Sequence, residues 1–264
     1  MRIARFANDD EVAYGIVEDQ GNGDSGGRGA VIAELHGHPF GADPGGLRFT
    51  GARYPVVDVR LLAPVLPSKV IAVDGNYPGG SAREPAEPVL FLKPSTSVAG
   101  PGDPIAWPVK LTERIEHEGE LAVIIGRLCR EVPAHRAAEV IFGYACANDV
   151  TARDLQERDG QWTRAKGFDT FCPLGPWIET DLDPADLELI TSVNGEVRQR
   201  ARTAQLLSGV PALIAYVSQV MTLLPGDVLL TGSPAGAGPL ADGDEVSVTI
   251  EGIGTLTNRV VNRD

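Results

Sequence analysis

The chain has 264 residues, 43% of them hydrophobic and 22% charged, which is enough apolar mass for a sizeable core and excludes a wholly disordered protein. Lys and Arg number 23 against 36 Asp and Glu, a net charge of −13, so nucleic acid is repelled over most of the surface and no basic block relieves the repulsion. With 31 Gly and 20 Pro but only 6% aromatic residues, the composition favours a strand-rich fold with many turns over a helical bundle.

Residues 2–6, 12–17 and 30–35 each place β-branched or aromatic residues between breakers and predict short strands. Residues 20–29 read QGNGDSGGRG, a stretch that buries nothing and predicts a hairpin tip. The alternation resumes over 56–66 and meets Pro67, so a small N-terminal β domain (1–64) is expected before a larger one (65–264). Residues 70–73, 89–92 and 121–125 are apolar runs of strand length. Pro133 suits the first turn of a short helix through Val140. In 210–224, Leu213, Val217, Val220 and Leu224 recur at helical spacing, and Pro225-Gly226 stops the run. The tail returns to strands, with Val246, Val248 and Ile250 on one face.

Cys129, Cys146 and Cys172 are widely spaced and odd in number, which argues against a disulfide framework or a zinc site and for buried thiols in a reducing compartment. The N-terminus has no apolar leader, and no run approaches the ~20 apolar residues of a membrane span. A cytoplasmic protein with no membrane partner is expected.

The chemistry concentrates in acids. Glu116, Glu118 and Glu120 are two residues apart, so on a strand they share one face. Crowded like charges repel, and a hard divalent cation with oxygen ligands is the usual remedy. Taken alone, E-x-E also describes a solvated strand face. A second segment adds to it: Asp149, Arg153 and Gln156 stand at i, i+4 and i+7, one helical face that offers an acid, a guanidinium and an amide together. A surface helix laced by an Asp–Arg pair has the same spacing. Lys166 follows ten residues on.

Several stretches in one order resemble the fumarylacetoacetate hydrolase family over nearly the whole length. They are LFLKP (90–94), EHEGELAVIIG (116–126), NDVTARDLQ (148–156), RAKGFDTFCPLGPWI (164–178), VNGE (193–196) and LLPGDVLLTGSPAG (223–236). The resemblance implies an α+β, strand-rich fold: a mixed β-sandwich or β-roll catalytic domain, usually dimeric, behind a small N-terminal β domain. It implies a magnesium or manganese ion, sometimes calcium, and a small-molecule substrate of the 2-oxo acid or 1,3-dicarbonyl class. The family's metal ligands fall on Glu118, Glu120 and Asp149, and its substrate-contacting residues on Arg153, Gln156, Lys166 and Thr231.

One family feature is missing. The lid pattern G-x-N-Y-x-x-H-x-x-E, whose His–Glu pair activates water, has Gly80 at the His position and Arg83 at the Glu position. Pro78, Pro85 and Pro88 disfavour a lid helix. Glu84 or Glu87 is a conceivable replacement base, although an exposed loop acid is the plainer description. Hydrolysis of a carbon–carbon bond needs an activated water, whereas decarboxylation needs an electron sink and tautomerisation a proton shuttle such as Lys166. The expectation therefore ranks decarboxylation or tautomerisation of small 2-oxo acids above acylpyruvate-type hydrolysis. A non-catalytic protein that keeps the metal site is the third reading.

Overall fold

Alternating and continuous apolar runs should give strands, and strands dominate the computed structural model of the chain, which describes residues 1–9, 11–19, 29–40, 46–79 and 87–264. The expected tip at 20–29 falls almost wholly outside the described residues, as do lid positions Gly80, Arg83 and Glu84. The first strands are Arg2–Asn8 (β1), Glu11–Asp19 (β2), Ala30–Leu35 (β3), Phe49–Pro55 (β4) and Arg60–Leu62 (β5). Next come Val70–Asp74 (β6), Val89–Lys93 (β7), Val98–Ala99 (β8), Pro104–Pro108 (β9), Ile115–His117 (β10) and Gly119–Ile125 (β11). Ile141–Asn148 (β12), Thr151–Ala152 (β13), Cys172–Glu179 (β14), Glu188–Val193 (β15) and Glu196–Arg202 (β16) follow. Val228–Leu230 (β17), Gly238–Pro239 (β18), Glu245–Ile250 (β19) and Gly254–Arg263 (β20) complete the set. The α-helices among the described residues are Arg153–Asp159 (α1), Thr163–Lys166 (α2) and Val210–Val220 (α3). The strand-rich α+β reading holds.

One sheet runs β4-β3-β2-β1-β14-β12-β11-β17-β6-β7, with β5 beside β1 and β8 beside β14. The N-terminal strands join it through β1 and β14, where Arg2 pairs with Glu179 and Ile3 with Ile178. A five-stranded sheet, β16-β15-β19-β20-β9, and a small one, β13-β10-β18, complete the architecture.

All seven residues of β11 are buried, which is why the run reads as continuously apolar past Glu120. Parity then decides the face. Leu121, Val123 and Ile125 pack with Val73, Leu229, α3 and the inner residues of β15 and β19. Ala122 and Ile124 pack with Ala72, Leu230, Cys172 and Leu174 on the other side. Val246, Val248 and Ile250 share a buried face as their spacing requires. Each fully buried Leu, Ile or Val contributes about 1.5–3 kcal/mol of burial.

Two helices end differently from expectation. The segment after Pro133 is a 3-10 helix, Ala134–Glu139. Helix α3 stops at Val220, four residues early, because Leu223 is buried by a strand-like bridge to Cys129, exchanging backbone hydrogen bonds of 3.0 and 2.9 Å. The three cysteines are buried and free, and burial pushes the Cys146 and Cys172 thiols up to about 12, so neither is a ready nucleophile. No described helix is long and apolar enough to cross a membrane.

Candidate functional site

The E-x-E segment is not one unbroken strand. β10 ends at His117 and β11 begins at Gly119, so Glu118 sits at the break. Its N–H donates to Asn148 Oδ1 (2.9 Å) and its carbonyl accepts the Asp149 N–H (2.8 Å). Gly119 is required here, since a Cβ would lie 1.9 Å from Thr191 Oγ1. Asp149 also arrives differently from the helical reading. Thr151 and Ala152 pair with Glu116 and Ile115, and the Val150 N–H donates to Phe171, so α1 cannot begin before Arg153. Asp149 therefore projects from the turn after β12, while Arg153 and Gln156 lie on α1 as their spacing predicts.

The three acids nevertheless meet: one oxygen from each of Glu118, Glu120 and Asp149 lies within 4.8 Å of the others. Glu120 and Asp149 are buried and Glu118 is partly so. Lys166, at the end of α2, donates to Asp149 Oδ2 (2.5 Å) and Glu118 Oε2 (2.9 Å). Lys93, at the end of β7, donates to Asp149 Oδ1 (2.5 Å) and to the Val150 carbonyl (3.1 Å). Arg153 fans its guanidinium over Glu118, Glu116 and the Gln156 carbonyl oxygen, with Nε at 2.8 Å from Glu116. Arg114 holds the other Glu116 oxygen at 2.7 Å.

Charge is distributed unevenly among the acids. Burial opposes ionisation of Asp149, but Lys166 and Lys93 outweigh it and hold the carboxyl below its ordinary range. Burial likewise opposes charge on Lys166, and Asp149 with Glu118 reverses this, keeping the ammonium protonated well past neutrality. Glu120 is the opposite case. Burial and then the Asp149 and Glu118 charges push it well above 4.5, against weaker help from Lys166 and the Gly232 N–H, which donates at 2.6 Å. A hard divalent cation would relieve that strain, and the all-oxygen donor set suits one. The residues fit such an ion.

Not every expected side chain faces the cluster with a free polar atom. Thr231 is fully buried, and both its hydroxyl and its N–H donate to the Leu121 carbonyl at 3.1 Å, tying β17 to β11. Gln156 spends its carbonyl oxygen on Arg153. His117 is 1% exposed, its Nδ1 3.2 Å from Gln199 Oε1, and burial lowers its pKa, so it is a packed core histidine. The sequence pattern assigns no role to Lys93 or Asn76. Asn76 accepts the Ser208 N–H (2.8 Å) and donates to the Ser208 and Thr231 carbonyls (3.0 and 2.8 Å), fixing the segment after β6. The available signal for Lys93 was a cation closing the apolar run of LFLKP, where burial demands a partner.

Residues 70–261 match the family described as Fumarylacetoacetate (FAA) hydrolase C-terminal, and residues 1–64 match Rv2993c-like, N-terminal. The chain belongs to the FAA hydrolase family. A solved structure of 5-carboxymethyl-2-hydroxymuconate delta-isomerase from Mycobacterium smegmatis is 57% identical, with TM-score 0.90 and 100% of both chains covered. Rat mitochondrial oxaloacetate tautomerase Fahd2a is 42% identical over 81% of this chain and 74% of its own length. Maleylpyruvate hydrolase from Sphingobium sp. SYK-6, solved with manganese(II) and pyruvate, is 36% identical, with TM-score 0.80 and 100% of both chains covered. Isomerase, tautomerase and hydrolase thus share this scaffold, so the scaffold alone does not choose the reaction.

Proposed function

We propose that this chain is a divalent-cation-dependent keto–enol isomerase of small 2-oxo acids, with magnesium or manganese held by Glu118, Glu120 and Asp149. The observation that carries the reading is the convergence of those three carboxylates within 4.8 Å beside Lys166 and Arg153. When bound, the cation supplies a Lewis acid that favours negative charge on the oxygen of a 2-oxo group. Lys166 and Arg153 complement the anionic substrate, Lys166 as a fixed ammonium and Arg153 as a planar donor on the half-open side. Gln156 orients Arg153, and Thr231 keeps β17 in place so that the Gly232 N–H meets Glu120. Glu120 and Asp149 are fully enclosed, which excludes water from one side of the cluster and strengthens every charge interaction there. We also take the protein to act as a cytoplasmic homodimer, which sedimentation would check for assembly.

The test is the loss of enol absorbance of oxaloacetate, followed with EDTA and then with magnesium or manganese restored. Metal-dependent ketonisation is the expected result. Metal-dependent carbon dioxide release would shift the reading to decarboxylation. Release of pyruvate and a carboxylic acid from an acylpyruvate, with no isomerisation, would replace it with hydrolysis. Stabilisation by manganese and oxalate without any turnover would mark a binding protein and overturn it.

A further inference from the structure

An isomerase needs a group that moves a proton to and from carbon, and the side chains around the cluster are mostly unable to serve. Lys166 is pinned as an ammonium between Asp149 and Glu118, and Arg153 is permanently charged. Glu116 is held ionised and below its ordinary range: burial opposes this, but the two guanidiniums of Arg153 and Arg114 prevail. His117 is turned to Gln199.

One more carboxylate shares the face. Strand register pairs Ala122 of β11 with Leu230 of β17, and Leu230 with Ala72 of β6. Extended two residues past the end of β17, the same row would set Gly232, whose N–H donates to the Glu120 carboxylate, between Glu120 and Asp74. The Thr231 N–H on the Leu121 carbonyl (3.1 Å) continues one side of that register. On the other side, a Cβ on Gly232 would fall 3.1 Å from the Val73 carbonyl and 2.8 Å from the Asn76 Cβ. Side chains alternate, so Asp74 points to the face of Ala72, Ala122 and Glu120, opposite to Val73. Across β7 it pairs with Val89, two residues from Phe91, whose ring lies 4.7 Å from Lys166 Nζ. The β11 and β6 backbones stand two strand spacings apart, ~10 Å, and glycine places no side chain between them. Counting back from Asn76, the first glycine of the G-x-N-Y pattern falls on Asp74.

We propose that Asp74 is the proton-transfer residue of this site, taking a proton from C3 of a bound 2-oxo acid and returning one to it. In the keto-to-enol direction the C3–H pair becomes the C2–C3 double bond. The carbonyl π pair moves to oxygen, Asp74 keeps the proton and passes it to solvent, and water protonates the oxygen, so the sum is an isomerisation. Asp74 is half-buried. Burial, then Glu118, raises its pKa, Lys166 and Arg153 pull it down, and Asp149 adds to the rise, a balance that suits a carboxyl required to exchange protons. Glu120, across Gly232, and Lys93, at the far end of β7, are further ionisable groups on this face among the described residues.

The inference rests on the isomerase reading, and the experiment separates the two. Manganese-loaded Asp74→Asn is assayed for ketonisation of the oxaloacetate enol beside the unaltered protein, with the manganese-induced rise in melting temperature as control. The expected result is a fall in kcat of ~10²–10⁴-fold with KM and the manganese response kept. Asp74→Glu should recover part of the rate, and the acidic limb of the kcat profile should be lost in Asp74→Asn. A rate within about twofold of the unaltered protein would overturn the inference and leave the isomerase reading intact. Loss of the manganese response together with the rate, in both variants, would overturn it too, by making Asp74 structural. An unaltered protein that isomerises no 2-oxo acid would overturn both.

Discussion

The parallel strands β6 and β17 have a buried carboxylate at each end, and the two ends differ in kind. At the N-terminal end Asp227 is met only by donors: Ser68 Oγ at 2.6 Å, the Lys69 and Leu224 N–H groups at 3.3 and 2.8 Å, and the Lys69 ammonium. At the C-terminal end Glu120 has the Gly232 N–H and two neighbouring carboxylates. Both acids are fully buried, so burial does not tell them apart. A buried acid whose lone pairs are filled by donors closes a turn. A buried acid that faces more acids than donors leaves a charge for something else to balance, and that imbalance marks the candidate site.

The sharpest way to break this contrast is to unbalance the C-terminal end further. Lys93→Met should leave Asp149 with Lys166 alone and strip the Val150 carbonyl of its donor. Removing one partner of a fully buried pair costs about 3–5 kcal/mol, so the melting temperature should fall by ~10 °C. An unchanged melting temperature would mean that Lys166 suffices and that Lys93 is packing only. Next in size is Asp227→Asn, which keeps shape and loses charge-assisted bonds to Lys69 and two backbone N–H groups. About 2–3 kcal/mol of stability should go while the manganese-induced shift stays as before. If that shift shrank as well, the two ends of β6–β17 would be one coupled unit and the contrast would fail.

The acids themselves were legible in the sequence through the two motifs that carry them, Glu118 and Glu120 two residues apart in one stretch and Asp149 in another, although a strand break at Glu118 rather than strand parity sets how they meet. Their partners were not. Lys93 reaches Asp149 across 56 residues and Asn76 reaches Thr231 across 155, distances no spacing rule sees. The helical reading of Asp149 failed for the same reason, since the pairing of β13 with β10 overrides an i, i+4 pattern that is correct from Arg153 onward. Buried strands such as β6 and β11 were plain from composition. The early stop of α3 was not, because it depends on where Cys129 lies.

The finest test of the contrast is Glu120→Gln in metal-free protein, where the expected change has the unusual sign. Glu120 has a folded pKa above its unfolded value of 4.5, raised by burial and by Asp149 and Glu118. Between those two values the folded state holds a proton that the unfolded chain has released. Stability therefore falls as pH rises through that window and levels off above the folded pKa. Glutamine carries no such ionisation and still accepts the Gly232 N–H through its carbonyl oxygen. In EDTA, Glu120→Gln should melt higher than the unaltered protein, by a margin that widens from about pH 5 upward. With manganese added the order should reverse, because only the carboxylate gains an ion. Melting curves that run parallel with pH in EDTA would show that Glu120 is balanced by neighbours, as Asp227 is, and the two ends of β6–β17 would then be alike.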